Sequence, residues 1–186
     1  CSFTGCRIGE LLGLTWPCVG LKGRSKGEIR IIHSLSSTSE GVKLEEVKTK
    51  SSFRVVKVPD STVQLLQEWK NQQDRYKDVL QNLYDTTYDF VFTNAFGRPV
   101  SLTNFYRRYW KKLIHYVGLS DKYTFHCLRR THATLLLKHG VNIKVVSERL
   151  GHSSTSVTAN VYAGLLPDMQ NQAVDAWNAI FSTRKQ

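Results

Sequence analysis

With 186 residues, 41% of them hydrophobic and 11% aromatic, the chain is long enough for one domain with a real core, and its composition excludes a disordered chain. Its 26 Lys and Arg against 15 Asp and Glu leave a net charge of +11, which suits a polyanionic partner because every cation set on a phosphate releases condensed counterions. No apolar run approaches the ~20 residues that cross a bilayer. The scattered Cys1, Cys6, Cys18 and Cys127 form no CxxC pair, which argues against a zinc knuckle or a disulfide framework and for reduced thiols in a cytoplasmic protein.

The first element is a helix within residues 4–14, TGCRIGELLGL, with Thr4 as its cap, Ile8, Leu11, Leu12 and Leu14 on its apolar face and Trp16-Pro17 at its end. The chain opens without Met, inside this helix and without a signal-peptide pattern, so a fragment of a longer protein is expected. Glu28 to Ser34, Lys43 to Lys48 and Phe53 to Val58 carry β-branched residues between turn residues and predict three strands in an antiparallel meander. Ser61 is expected to cap a long helix through Val63, Leu66 and Trp69. A short strand, Phe90 to Thr93, and a turn at Phe96-Gly97-Arg98-Pro99 follow.

Ser101 caps a helix through Tyr106, Trp110 and Ile114 that Gly118 closes. Thr124 caps the next, which carries His126, Leu128 and Arg129 and stops at His139-Gly140. Asn142 starts a helix from Ile143 to Leu150, ended by Gly151, and Ser153 or Ser154 starts a short helix before Tyr162. Residues 165–181 place Leu166, Met169, Ala173, Trp177 and Ile180 at three- and four-residue steps, an amphipathic helix. The expected class is α+β, mostly α: a helical domain with a small three-stranded antiparallel sheet near its start.

Four stretches carry chemistry: TGCRIGE with Arg7, VKTKSSFR with Lys48 and Lys50, HCLRRTHAT with His126 and Arg129, and LGHSSTSVTANVYAG with His152 and Tyr162. Breaking a phosphodiester by in-line attack requires a nucleophile, a base for its proton, cations for the non-bridging oxygens and an acid for the leaving 5′-oxygen. Arginine suits the charge role because its planar fork binds two phosphate oxygens and never titrates. A tyrosine, with an ordinary pKa of ~10, needs cationic neighbours or a base before it attacks. His126 and Arg129, three apart on a helix, share one face. Taken singly, each of these residues reads more simply as a surface pair, a loop histidine, a packed aromatic or a solvated charge.

Taken in order, TGxRxGELLxLxW, a hairpin lysine, HxLRRTHAT, LGHSS and a downstream YA resemble the tyrosine recombinases of the phage integrase family, from Thr4 to about Gly164. The resemblance implies the catalytic fold of that family and DNA strand cleavage and rejoining through a 3′-phosphotyrosine link, with no metal, ATP or other cofactor. Arg7 and Arg129 would clamp the scissile phosphate, and His152 would hydrogen-bond one of its non-bridging oxygens. His126 would act as general base or orient the phosphate, and Tyr162 would be the nucleophile. Lys48 would protonate the leaving oxygen; Lys50, two residues on and on the same strand face, stays open as the alternative. Glu10, one turn from Arg7, is expected to orient local groups.

The resemblance further implies double-stranded recombination sites as partner, a homotetramer on DNA, a bacterial cytoplasmic location at the nucleoid and a DNA-bending accessory protein. The family's core-binding and arm-binding domains are absent from these residues, so the isolated chain is expected to be a monomer that binds DNA weakly. The helix at 165–181 packs either on its own domain or on a neighbouring protomer, with Trp177 and Ile180 as anchors. Lys22, Arg24, Lys26, Lys43, Lys57, Arg107, Arg108, Lys111 and Lys112 suit a groove that follows the DNA backbone. The same chemistry serves chromosome-dimer resolvases and relaxing topoisomerases, and a basic DNA-binding module without catalysis is the reading from another class. The HCLRRTHATLL wording favours an integrase of a mobile element.

Overall fold

The computed structural model describes residues 1–38, 41–47, 49, 51–162 and 174–181, and for residues 161 and 162 the backbone alone. Helix α1 is Ile8–Leu12, five residues where eleven were expected. Gly5 has φ +67, a left-handed backbone that no helix continues through. Thr4 is therefore not the cap; it is buried and its hydroxyl accepts the Cys6 N–H at 3.3 Å. Arg7 takes the cap position, and its N–H donates to Glu10 Oε2 at 2.8 Å.

The sheet region holds four strands rather than three: β1 (Glu28–Ile31), β2 (His33–Thr38), β3 (Gly41–Glu46) and β4 (Arg54–Lys57). β1 pairs with β4 and β2 with β3, both antiparallel, as two two-stranded ladders. The α+β class stands, but the expected meander does not, because the second and third predicted strands both pair with the first stretch. That stretch runs on from Glu28 to Thr38 with a break at Ile32, long enough to take both partners. Ile31 faces Arg54, whereas Ile32 accepts the Val47 N–H at 3.1 Å, so residues 48–53 lie between the two ladders. Both candidate lysines belong to this inserted segment.

Helix α2 (Asp60–Leu80) starts after Pro59, whose fixed φ suits a helix entry, and not at the expected Ser61 cap. It lays Leu66 and Trp69 on a core of Leu14, Trp16, Ile29, Ile31, Val56 and Val91. Gln73, buried on the same face, accepts the Trp16 Nε1–H at 2.7 Å and donates to Val91 O at 3.1 Å and Thr93 Oγ1 at 3.0 Å. The expected strand at Phe90 to Thr93 reduces to isolated bridges, Thr15 with Phe90 and Thr93 with Pro99.

Ser101 caps α3 (Leu102–Phe105), accepting the Asn104 N–H at 3.3 Å, and the π-helical turn Tyr106–Trp110 joins it to α4 (Lys111–Tyr116). Trp110, Ile114 and Phe125 pack together there. Helix α5 (Phe125–Lys138) buries Phe125, Arg129, Ala133 and Leu137 at four-residue steps, with His132 beside them. Helix α6 (Ile143–Leu150) starts at Asn142, whose side chain accepts the Lys144 N–H at 2.8 Å, and ends at Gly151 with φ +70. Helix α7 (Thr155–Tyr162) follows Ser154, whose hydroxyl accepts the Ser156 N–H at 3.1 Å. Residues 174–181 are helical with Val174, Trp177, Ile180 and Phe181 exposed, and the rest of the expected 165–181 helix lies outside the described residues. No described helix is long and apolar enough to cross a membrane.

Replacing Gln73 by Leu orphans the Trp16 indole N–H inside the core and removes one donor each from Val91 O and Thr93 Oγ1, which keep Trp69 Nε1 and the Tyr84 hydroxyl as partners. The substitution is expected to cost about 2–4 kcal/mol. Urea unfolding checks this, with the midpoint lowered and the m-value unchanged.

Candidate active site

The carboxyl end of α6 presents three consecutive backbone carbonyls, and each accepts from a different arginine. Arg149 O receives Arg54 Nε at 2.7 Å, Leu150 O receives Arg129 Nη2 at 2.8 Å, and Gly151 O receives Arg7 Nη2 at 3.1 Å. The last carbonyls of a helix lack intrahelical donors and carry the negative end of its dipole, so guanidinium groups are favoured there. Gly151 is required at this bend. Its φ is left-handed, and a Cβ would come within 2.8 Å of Arg54 Nη1 and 3.0 Å of Ser51 O.

One carboxylate balances this cluster. Glu10 is almost fully buried and accepts Arg7 Nη1 at 2.8 Å, Arg54 Nη2 at 2.8 Å and Arg54 Nη1 at 3.2 Å. Burial works to raise its pKa, but the hydrogen bonds and charge of Arg54, joined by those of Arg7, win and hold it below the ordinary glutamate value. Arg129 is buried on α5, with Nη1 on Gly5 O at 2.7 Å. Its burial, and next the charge of Arg7, bring its pKa down to about 10, which leaves it charged at neutral pH.

Arg129 faces a cavity of about 300 Å³ whose lining includes His126, Arg130, His152, Val157 and Asn160. Burial and then Arg129, Arg130 and Arg7 lower the pKa of His126. Burial and then Arg129, Arg7, Arg54 and His126 bring His152 down to about 4. Both rings are thus neutral near pH 7. His152 Nδ1 lies 2.8 Å from the hydroxyl of the fully buried Thr158, which fixes the ring and turns its other nitrogen away from that contact. Tyr162 closes α7, one helical turn beyond Thr158.

Of the six site residues expected from sequence, Arg129, His126 and His152 meet at the cavity. Arg7 joins them through Gly151 and Glu10. Tyr162 is placed by its backbone only, and Lys48 and Lys50 lie outside the described residues. Glu10, read as a local support, proves to be the counter-ion of two arginines. Arg54 was missed: it closes the VKTKSSFR stretch, and only the coincidence of that stretch with the lysines pointed to it. A second staple was also unforeseen. His132 donates from Nδ1 to Ser2 O at 2.8 Å and accepts Arg149 Nε at 3.1 Å, while Arg149 Nη2 reaches Phe3 O at 2.7 Å and Lys57 O at 2.9 Å.

Of the basic groups expected to follow DNA, Lys26 pairs with Asp60 at 2.8 Å, Lys57 with Glu28 at 3.7 Å and Lys43 with Glu45 at 3.8 Å. Arg107, Arg108, Lys111 and Lys112 are exposed and have no ion pair among the described residues.

A family model described as the phage integrase family matches residues 1–168. The chain belongs to the phage integrase family. A tyrosine recombinase XerC-like protein of Caldanaerobacter subterraneus subsp. tengcongensis is 35% identical over 96% of this chain and 47% of its own length. The ICEBs1 integrase of Bacillus subtilis is 28% identical over 92% of this chain and 45% of its own length. The chain thus spans about half the length of the curated relatives it matches. Among solved structures, the Tn1549 transposon integrase in complex with transposon right end DNA superposes with a TM-score of 0.71 at 24% identity, over 92% of this chain and 56% of that one. The XerH recombinase bound to palindromic difH substrate gives 0.60 at 25% identity, over 95% of this chain and 43% of that one. The fold is that of these recombinase domains.

Removing the Glu10 charge leaves two guanidinium groups without their carboxylate, so Glu10→Gln is expected to cost about 3–5 kcal/mol at pH 7. The folded pKa of Glu10 lies below its ordinary 4.5, so its stabilisation is complete above that value and is lost as pH falls through the folded one. Urea unfolding between pH 7 and 3 is expected to show a gap between wild type and Glu10→Gln that narrows only below about pH 4.5.

Proposed function

We propose that this chain is the catalytic part of a site-specific recombinase that cuts and rejoins double-stranded DNA through Tyr162, in an integrase of a mobile element. The observation that carries the reading is the convergence of Arg129, His126 and His152 on one cavity, with Arg7 held beside them by the same helix end. Among the described residues, Arg7 and Arg129 each spend only part of their five N–H donors, which leaves donors for phosphate oxygens. The names of the relatives, integrases and a tyrosine recombinase, support the mobile-element setting.

In this mechanism the Tyr162 phenol oxygen attacks phosphorus, and its proton passes to a base for which the neutral His126 is suited. The bond from phosphorus to the 5′-oxygen breaks, and that oxygen takes a proton from Lys48, with Lys50 as the alternative donor. Arg7, Arg129 and a ring N–H of His152 hold the charge on the non-bridging oxygens. The product is a 3′-phosphotyrosine and a free 5′-hydroxyl. One ester replaces another, so a 5′-hydroxyl from a second strand reseals the bond by the reverse steps without ATP. Exchange between two duplexes cuts four strands, each by its own Tyr162, which calls for four copies on the DNA. The exposed Arg107, Arg108, Lys111 and Lys112 add sequence-independent backbone affinity.

The test uses the full-length protein and a nicked duplex carrying the junction of its own element, so that cleavage traps the covalent adduct on a denaturing gel. Wild type is expected to form the adduct, Tyr162→Phe none, and Arg129→Ala to form it on the order of 100-fold more slowly or worse. A 5′-bridging sulfur, which leaves without a proton, is expected to restore Lys48→Ala. Restoration confined to Lys50→Ala moves the acid to Lys50. An adduct that persists in Tyr162→Phe overturns the mechanism.

A further inference from the structure

We propose that Arg54 is a positioning residue for strand cleavage, setting the lysine-bearing segment and Arg7 in register without touching DNA. The inference rests on the function proposed above. Among the described residues, every N–H of the Arg54 guanidinium is committed inside the protein. Nε donates to Arg149 O at 2.7 Å. Nη1 donates to Ser52 O at 3.0 Å and Glu10 Oε1 at 3.2 Å, and Nη2 donates to Glu10 Oε2 at 2.8 Å and lies 3.9 Å from Cys6 Sγ. An arginine has five such donors, so none remains for a phosphate. Arg54 is also buried, whereas the Arg7 side chain is 43% exposed.

What Arg54 touches defines what it does. Ser52 belongs to the segment 48–53 inserted between the two ladders, and it is bound to Thr49 by its N–H at 3.0 Å and its hydroxyl at 2.8 Å. Thr49 stands between the two candidate lysines. The Ser52 bond therefore ties the stretch that carries the general acid to the carboxyl end of α6, where Arg129 and Arg7 are also held. Through the shared Glu10, Arg54 also fixes the carboxylate that orients Arg7. A lysine at this position keeps the charge but offers three donors from one point and cannot span Arg149, Ser52 and Glu10 together.

The experiment compares full-length wild type, Arg54→Lys and Tyr162→Phe on two nicked duplexes, one with an ordinary scissile ester and one with a 5′-bridging sulfur. Arg54→Lys is expected to form the covalent adduct at least about 10-fold more slowly on the ordinary ester and to recover most of that loss on the sulfur substrate, because the misplaced acid is no longer needed. Its DNA affinity and salt slope are expected to match wild type; loss of a direct phosphate contact would instead lower the slope by about 1.

Equal slowing on both substrates in a variant that melts as a folded protein overturns the inference, as does a reduced salt slope. Should Arg54→Lys fail to fold, Gly151→Ala serves, since its Cβ presses on Arg54 Nη1 and Ser51 O. It must then show the same recovery by sulfur, and its absence overturns the inference. A wild-type protein with no Tyr162-dependent adduct fails at the level of the function itself.

Discussion

The end of α6 is the constraint on which the rest of the site depends. Three successive carbonyls, of Arg149, Leu150 and Gly151, take one guanidinium each from three separate parts of the chain. Arg7 comes from the cap of α1, Arg54 from the start of β4 and Arg129 from the middle of α5. Guanidinium groups this close repel one another, and the helix dipole and Glu10 offset that repulsion. The left-handed bend at Gly151 then turns the chain so that His152, the next residue, reaches the same cavity.

The electrostatics follow from this geometry. Partial loss of solvent, and next the charge of neighbouring arginines, is why His126 and His152 both sit below the ordinary histidine value. A neutral ring can donate a hydrogen bond without adding to the repulsion, and is free to accept a proton where an anion offsets the charge it gains. Arg129, although buried, keeps its charge at neutral pH and is anchored by two backbone carbonyls, of Gly5 and Leu150. Under the proposed function, the site is thus organised in advance around an anion.

The local rules were legible in the sequence. Asn142, Gly151 and Ser101 announced helix ends because a cap needs only its own neighbours. Spacing placed His126 and Arg129 on one face for the same reason. The sheet was only half legible: β-branched residues between turn residues marked the strands, but pairing was settled by the length of the first stretch and the insertion at 48–53. The π-helical turn at Tyr106–Trp110 left no sequence signal that was recognised. Arg54 was hidden because an arginine on a short strand reads as solvated, and its partners Glu10 and Arg149 lie 44 and 95 residues away. Family resemblance supplied the roles proposed for Arg7, Lys48, His126, Arg129, His152 and Tyr162, which no local pattern contains.

A crystal structure of the full-length protein on its DNA with vanadate at the cleavage point tests the central claim most directly. The account predicts vanadate oxygens within hydrogen-bond distance of Arg7, Arg129 and His152, with Arg54 still bound to Arg149 O, Ser52 O and Glu10. An Arg54 guanidinium turned onto the vanadate, or a vanadate held away from the end of α6, would contradict it.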